Sequence, residues 1–193
     1  LQRARASQDP LPLAEVLARI AAGQLAPPPD LDHDGALLEL SRVYEARLGD
    51  LEAAANCHET LLVDDPRAPV SLAWMRRRAE ARGDHSAVVG LLERALAAEQ
   101  AVGDTAGIEA RLRSLAEVAE HAMGDLARAA GYLRALWDVT SDAAVRERLH
   151  GLYVSLGDRG GELRLLGAEL DRMAESAETM SQGRALAERL AEL

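Results

Sequence analysis

The neighbouring residues Cys57 and His58 are a nucleophile and a base of the kind that covalent catalysis requires. A thiol is activated only when a base lies within hydrogen-bond reach of it. Because adjacent residues on a helix point in different directions, the two side chains are not expected to meet. We therefore predict that Cys57 lies in the core and that His58 lies on the surface.

The other histidines are scattered over different segments, without the spacing that metal ligands require. They are His33, His85, His121 and His150. The sequence also lacks the Gly-Lys loop that cradles phosphates, a glycine-rich dinucleotide turn and the HExxH zinc motif. No pair of carboxylates stands out for acid–base work. We expect a protein without catalytic activity, bound metal or cofactor.

The composition favours a helical protein of modest size. Its 193 residues, 48% of them hydrophobic, suffice for one ordinary domain or a short solenoid. Phe is absent and aromatic residues make up only 3%, which is poor material for β-sheets. Charged residues interrupt every apolar run, so no membrane insertion is expected. The net charge of -10 disfavours nucleic acid as a partner.

Only the amino-acid usage and the first residues of the sequence indicate the source and the cellular compartment. All 22 basic residues are Arg and Ile is rare, which is typical of a GC-rich bacterial genome. The single cysteine excludes an internal disulfide and is compatible with a reducing compartment. The start LQRARASQDPLPL has neither Met nor an apolar signal core, and indicates an excerpt. We expect a cytoplasmic protein, with the periplasm as the alternative.

A Gly-Asp pair recurs along the chain, at Gly49-Asp50, Gly83-Asp84, Gly124-Asp125 and Gly157-Asp158. The spacings are 34, 41 and 33 residues, and each pair is flanked by segments with the apolar period of an amphipathic helix. Gly supplies the left-handed backbone that ends one helix, and Asp caps the next. Four helix-turn-helix hairpins are predicted.

The hairpins are predicted to alternate between two types. RLGDLEAAANCHETLL around the first turn is similar to AMGDLARAAGYLRALW, at an offset of 75 residues. GDHSAVVGLLERAL at the second turn is similar to GDRGGELRLLGAEL, at an offset of 74. The sequence therefore contains a superperiod of two hairpins. Small residues after the turns, Ala54, Ala95 and Ala129, are predicted where helices touch most closely.

From about Asp34 to the C-terminus, the pattern resembles the tetratricopeptide repeat, a pair of antiparallel helices. The residues that match its first helix are Leu40, Ser41 and Tyr44, and again Leu115, Ala116 and Ala119. Those that match its second helix and exit are Ala54, His58, Leu61 and Pro66, and in the next hairpin Val88, Leu92 and Ala95. The resemblance implies an all-α, right-handed superhelical solenoid of antiparallel hairpins.

Three departures from the family pattern are visible. The first and third hairpins have one extra residue before the turn, in YEARLGD and AEHAMGD. In the fourth, Glu162 occupies the place of a small residue. The 41-residue interval contains EQAVGDTAGIE, whose Gly103 and Gly107 predict a lengthened loop or extended helices.

Two segments are predicted, with the boundary after residue 30. Residues 1–30 form an N-terminal helix and a Pro-rich linker: Asp9 and Pro12 start a helix through LPLAEVLARIAAGQL, and PPPD stops it. Residues 31–193 form the repeat array. Its last segment, GRALAERLAEL, is either a capping helix or half of a truncated repeat.

The resemblance implies a concave wall lined by the first helix of each hairpin. The family's inward-facing positions correspond to Glu39 and Arg42, Trp74 and Arg77, Arg113, Glu117 and His121, and Glu147 and Arg148. Arg42, Arg77, Arg113 and Arg148 recur about once per repeat. They are either bidentate anchors for an acidic peptide or a terminal carboxylate, or simply exposed helix residues in a chain without Lys.

Trp74 has two interpretations. It is either an exposed anchor of the kind that dominates interface energies, or it packs between hairpins, where we also expect Trp137. The chaperone-binding subclass of the family grips a terminal carboxylate with Lys and Asn on successive first helices. This chain has no Lys, and its only Asn, Asn56, lies on a second helix. That ligand class is therefore disfavoured.

The predicted function is a non-enzymatic scaffold that binds a peptide or partner protein, acidic peptides included, on its concave surface. One alternative is a regulatory or ligand-sensing arm of a larger multidomain protein. The other is a structural segment that self-assembles through its terminal repeats, since these lack stacking neighbours.

Overall fold

The computed structural model describes residues 1–5, 9–172 and 174, and every regular element in these ranges is helical. The elements are α1 (Gln2–Arg5), α2 (Leu11–Ala21), α3 (His33–Val43), α4 (Leu51–Asp64), α5 (Pro69–Ala81), α6 (His85–Val102), α7 (Thr105–Glu117), α8 (Leu126–Thr140), α9 (Ala143–Leu156) and α10 (residues 159–172). None of the helices in the described ranges has the length and apolar character that crossing a bilayer requires. Because every regular element in the described ranges is helical, the predicted all-α class is confirmed.

The chain forms two compact units, Leu1–Arg111 and a second that begins at Leu112. In the first unit, consecutive helices from α2 to α6 pack against one another. In the second unit, α8 packs against α9. Contacts between sequence neighbours are those expected when short turns join antiparallel helices.

All four predicted Gly-Asp turns are confirmed. Gly49, Gly83, Gly124 and Gly157 have φ angles of 68°, 68°, 67° and 66°. This left-handed conformation ends a helix at little cost only for glycine. The following Asp accepts a hydrogen bond from the backbone N–H three residues on, at 2.8 to 3.0 Å in each turn. Each pair ends one helix and caps the next.

The 41-residue interval contains a fifth turn of the same kind. Gly103 has a φ angle of 71°, and Asp104 accepts from the Gly107 N–H at 3.0 Å. The predicted lengthened loop is therefore wrong, because two residues connect α6 to α7. The alternative of an extended helix is confirmed, since α6 has 18 residues. The dipeptide Gly103-Asp104 is the signal in the sequence that indicates this turn.

The extra residue in the first and third hairpins is accommodated in a π-helical turn. These turns are Tyr44–Leu48 and Val118–Ala122, each immediately before its Gly-Asp connection. A π-turn adds a residue to a helix without breaking its hydrogen-bond ladder. The consequence of the extra residue is therefore confined to the end of one helix in each hairpin.

The N-terminal helix ends earlier than predicted. It stops at Ala21, and Gly23 follows with a φ angle of 69°, so the glycine ends the helix before PPPD is reached. Asp9 accepts from the Leu11 N–H at 3.0 Å, and Pro12 lies in the first turn as expected.

The core of the first hairpin includes this N-terminal helix. Leu17 and Ile20 of α2 are buried together with Leu37 and Leu40 of α3 and Leu61 of α4. Burial of such side chains stabilises the fold by about 1.5 to 3 kcal/mol each. Ala54, Ala95 and Ala129 are fully buried, as expected for residues at close helix contacts. The segment GRALAERLAEL lies outside the described residues.

Candidate functional site

Trp74 is buried at the centre of a cluster in the first unit. Its indole packs with Ala54, Ala55 and Tyr44, and its ring stacks on His58 with centroids 4.6 Å apart. Its Nε1–H donates to Glu45 Oε2 at 3.0 Å. Of the two interpretations of Trp74, the structure supports packing, and the exposed anchor is wrong. Trp137 in the second unit is also buried.

His58 is only 3% exposed, so its predicted surface position is wrong. The reason is helical spacing: Ala54, His58 and Leu61 share one face of α4, and that face packs inward. The imidazole Nδ1 lies 3.1 Å from Ser71 Oγ, which satisfies both buried polar groups. Cys57 is buried as predicted.

Burial also sets the protonation of this cluster. Desolvation lowers the pKa of His58, Glu45 opposes this, and the positive charges of Arg42 and Arg77 lower the pKa further. Desolvation raises the pKa of the Cys57 thiol, which keeps it protonated and unreactive. The imidazole is therefore a neutral stacking partner and the thiol is core material.

The two-hairpin superperiod offers an internal comparison for this cluster. At offsets of 75 and 74, the counterparts of His58 and Ser71 are Leu133 and Val145, which are both buried. Equivalent positions thus hold a hydrogen-bonded polar pair on α4 and α5, and two buried aliphatic side chains on α8 and α9. A polar pair is not a requirement of this packing, since the apolar version exists in the same chain.

Both units also contain a glutamate in the π-turn that accepts a hydrogen bond from the following hairpin. Glu45 and Glu120 are counterparts, and each lies in a π-turn. Glu45 accepts from Trp74, and Glu120 accepts from Arg148, the counterpart of Trp74, at 2.6 Å. Each π-turn therefore presents a glutamate to the first helix of the next hairpin. The signal in the sequence is the matching position of the two glutamates in YEARLGD and AEHAMGD.

Three of the predicted site residues come together in the second unit. Arg113, Glu117 and Arg148 line a pocket of about 160 Å³. Arg113 Nη2 lies 3.4 Å from Asp142 Oδ2. The pKa of Asp142 is lowered, first by the hydrogen bond from its Ala144 neighbour and also by Arg113. Both arginines of this pocket therefore already have carboxylate partners within the chain.

The remaining predicted residues differ in their surroundings. Glu39 is half-buried and forms an ion pair with Arg5 of α1. His121 and Glu147 are exposed. Arg42 and Arg77 are also exposed, and neither forms an ion pair within the described part of the chain. The predicted row of arginines thus consists of two compensated members in the second unit and two uncompensated members in the first.

Beside Trp74 lies a pocket of about 460 Å³, which we call the Trp74 pocket. It is formed by the first turn of the π-helical segment at Glu45, the start of α4 and the second half of α5. Its lining residues are Glu45, Leu51, Glu52, Trp74, Arg77, Arg78, Ala81 and Arg82. Only Trp74 and Arg77 were predicted as site residues. The others were missed because contacts such as that of Arg78 with Leu51, 27 positions earlier, cannot be inferred from spacing along the chain.

Within the described ranges, no cluster of three or more His, Cys, Asp or Glu side chains is arranged to hold a metal ion. No protein-family model matches the chain, and no curated protein matches it in sequence.

Proposed function

We propose that this protein is a non-enzymatic scaffold of tetratricopeptide-like hairpins, wound as a right-handed solenoid, that holds a peptide or partner protein on the wall formed by its first helices. Three features support this proposal: repeated capped turns, alternation of two hairpin types, and small buried residues at the same place after successive turns. Helix hairpins of this kind bury their apolar faces by stacking, and the stack presents an extended surface for binding.

The observation that carries the proposal is the pair of exposed arginines on α3 and α5, Arg42 and Arg77. Most described arginines form ion pairs with Asp or Glu. Five described arginines have no such partner in the described ranges: Arg19, Arg42, Arg77, Arg82 and Arg159. Of these, Arg42 and Arg77 are the two at predicted inward-facing positions of successive first helices. A guanidinium in this state is available for bidentate contact with a carboxylate of another molecule.

The His58–Ser71 pair supports a structural interpretation over a catalytic one. Both side chains are nearly inaccessible, with exposures of 3% and 1%. A nucleophile and its base have to reach a substrate, and the imidazole of His58 is covered by the Trp74 ring on one side.

The test is selection of peptides from a random display library with the whole chain as bait. Binding of the selected peptides is then measured by fluorescence anisotropy. We expect Arg42→Ala and Arg77→Ala each to weaken binding by roughly tenfold, the loss of one charge-assisted contact. Arg19→Ala is the matched control, because Arg19 is an exposed residue of α2 without an ion pair in the described ranges.

Two results would contradict the scaffold function. One is that no peptide of any composition is selected. The other is that the selected peptides bind the Arg42 and Arg77 variants as tightly as the wild type. Binding should also weaken as salt is added, because exposed charges are screened over about 8 Å at physiological ionic strength.

Self-association is a second candidate function, favoured by an apolar stripe on α10. Leu163 and Leu170 are 70% and 67% exposed, and each lies about one turn from the exposed Leu166. Their counterparts in α6 include Val89 and Leu92, which are buried. Such a stripe is typical of a helix face that receives another helix.

A further inference from the structure

The Trp74 pocket combines apolar walls with arginines. Leu51, at the start of α4, is 49% exposed and contributes aliphatic surface. Trp74 and Ala81 of α5 add the rest of the apolar lining. Its volume of about 460 Å³ falls within the range of pockets that enclose ligand groups, about 300 to 1,000 Å³. An apolar group of a ligand can therefore be buried here.

The charges of the pocket are unevenly compensated. The Arg78 guanidinium donates to the Leu51 carbonyl and to the Glu52 carboxylate, so it is held in place. Arg77 and Arg82 are exposed and have no carboxylate within ion-pair distance in the described ranges. The pocket has two acidic lining residues, Glu45, which accepts from Trp74, and Glu52, which accepts from Arg78. Its three Arg and two Glu leave one net positive charge, carried by guanidinium groups without a carboxylate partner, in a protein with a net charge of -10.

The second unit shows that these cations are not needed for the hairpin to form. At the offset of 74 residues, the counterparts of Arg77 and Arg82 are Gly151 and Leu156. Both hairpins nevertheless end in the same left-handed glycine and the same aspartate cap. The positive charge at these two positions is therefore a property of this pocket and not of the repeat.

We propose that the Trp74 pocket binds a short acidic segment of a partner protein, with carboxylates on Arg77 and Arg82 and an apolar side chain between them against Leu51. This inference rests on the proposed scaffold function and specifies its ligand. Guanidinium and carboxylate groups match in paired hydrogen bonds, and the apolar side chain is removed from water on binding. A long polyanion such as a nucleic acid is disfavoured, because the rest of the protein repels it.

The probe is a nonapeptide with two Glu on each side of a central Leu, blocked at both ends so that no terminal carboxylate contributes. Binding of this peptide to the full chain is followed by anisotropy of a neutral fluorophore. Two control peptides replace the four Glu by Gln, or the Leu by Ser. We expect each replacement to weaken binding by roughly tenfold or more, since each removes one half of the recognition.

The protein variants locate the site. Arg77→Gln with Arg82→Gln should weaken binding of the acidic peptide by roughly tenfold or more. Arg19→Gln with Arg159→Gln changes the net charge equally but lies elsewhere on the exposed surface, and should leave affinity within about twofold. Leu51→Ser should weaken binding of the Leu peptide and leave that of the Ser peptide unchanged. Circular dichroism checks that all variants keep the wild-type helix content.

Each other outcome overturns the inference. Equal weakening by both arginine pairs would mean that net charge alone attracts the peptide. Tight binding of the Gln peptide would remove the role of the carboxylates, and displacement by free glutamate at peptide concentrations would assign the pocket to a small dicarboxylate. If library peptides bind through Arg42 while the acidic peptide does not bind, the pocket proposal fails and the scaffold function stands. If no peptide binds, both fail.

Discussion

The buried imidazole of His58 couples the stability of the first unit to pH. The groups that face it are Ser71, the Trp74 ring, the Glu45 carboxylate and the guanidinium groups of Arg42 and Arg77. Burial lowers the pKa of His58 in the folded protein below its ordinary value of about 6.5. The unfolded chain therefore takes up a proton at a pH where the folded chain does not. Stability is fully present above pH ~6.5 and is lost as the pH falls toward the lower folded pKa.

We predict that the free energy of unfolding of the wild type decreases as the pH is lowered from about 7 to about 5. The double substitution His58→Leu and Ser71→Val should remove most of this decrease. The double variant copies the Leu133 and Val145 pair of the second unit, so its packing already has a precedent in the chain. Urea denaturation at several pH values measures the effect. An equal decrease in the variant would mean that other groups titrate in this range.

The helix contact at Ala129 has no spare space, because the residue is fully buried in α8. Ala129→Leu should therefore overpack the contact and lower the free energy of unfolding by roughly 1 to 3 kcal/mol. The matched control is Ala127→Leu, an exposed position on the same helix, where the substitution should be nearly neutral. Urea denaturation measures both variants. Unchanged stability of the Ala129 variant would show that no close helix contact exists there.

We predict that the fifth Gly-Asp turn, Gly103-Asp104, stabilises the fold as much as each of the other four. Asp104→Ala removes the cap on the Gly107 N–H and should lower the free energy of unfolding by about 1 kcal/mol. Asp84→Ala, which removes the equivalent cap on the Ala87 N–H, is the comparison within the same unit. Thermal denaturation should show that the two substitutions lower the melting temperature by similar amounts. If Asp104→Ala leaves the stability unchanged while Asp84→Ala lowers it, the cap at Asp104 is not equivalent to those of the hairpin turns.

For the whole molecule, the exposed stripe on α10 predicts concentration-dependent association. Sedimentation equilibrium should give a higher mass at high than at low protein concentration, because Leu163 and Leu170 are buried when copies meet. Leu163→Gln with Leu170→Gln should keep the protein monomeric. Leu11→Gln with Val63→Gln, which alters two equally exposed apolar residues elsewhere, should not. A wild type that is monomeric at both concentrations would exclude this candidate function.

The helical class and the hairpin turns were determined by the sequence itself. Both depend on residues a few positions apart: the left-handed glycine at Gly49, the cap from Asp50 to the N–H three residues on, and the apolar period on either side. Even the extra residue before Gly49 was visible, and the structure adds that a π-turn accommodates it. Two glycine signals were misread: Gly103, although its dipeptide is the same, and Gly23, which ends α2 before PPPD.

The surroundings of the candidate site were decided by tertiary structure alone. The contact of Trp74 with Glu45 joins residues 29 positions apart, and that of Arg148 with Glu120 joins residues 28 apart. Such partners are set by which helix faces meet, and one sequence contains many carboxylates that are equally suitable. Whether Arg77 is compensated and His58 is covered therefore follows from packing between elements, because burial and charge pairing depend on neighbours in space and not along the chain.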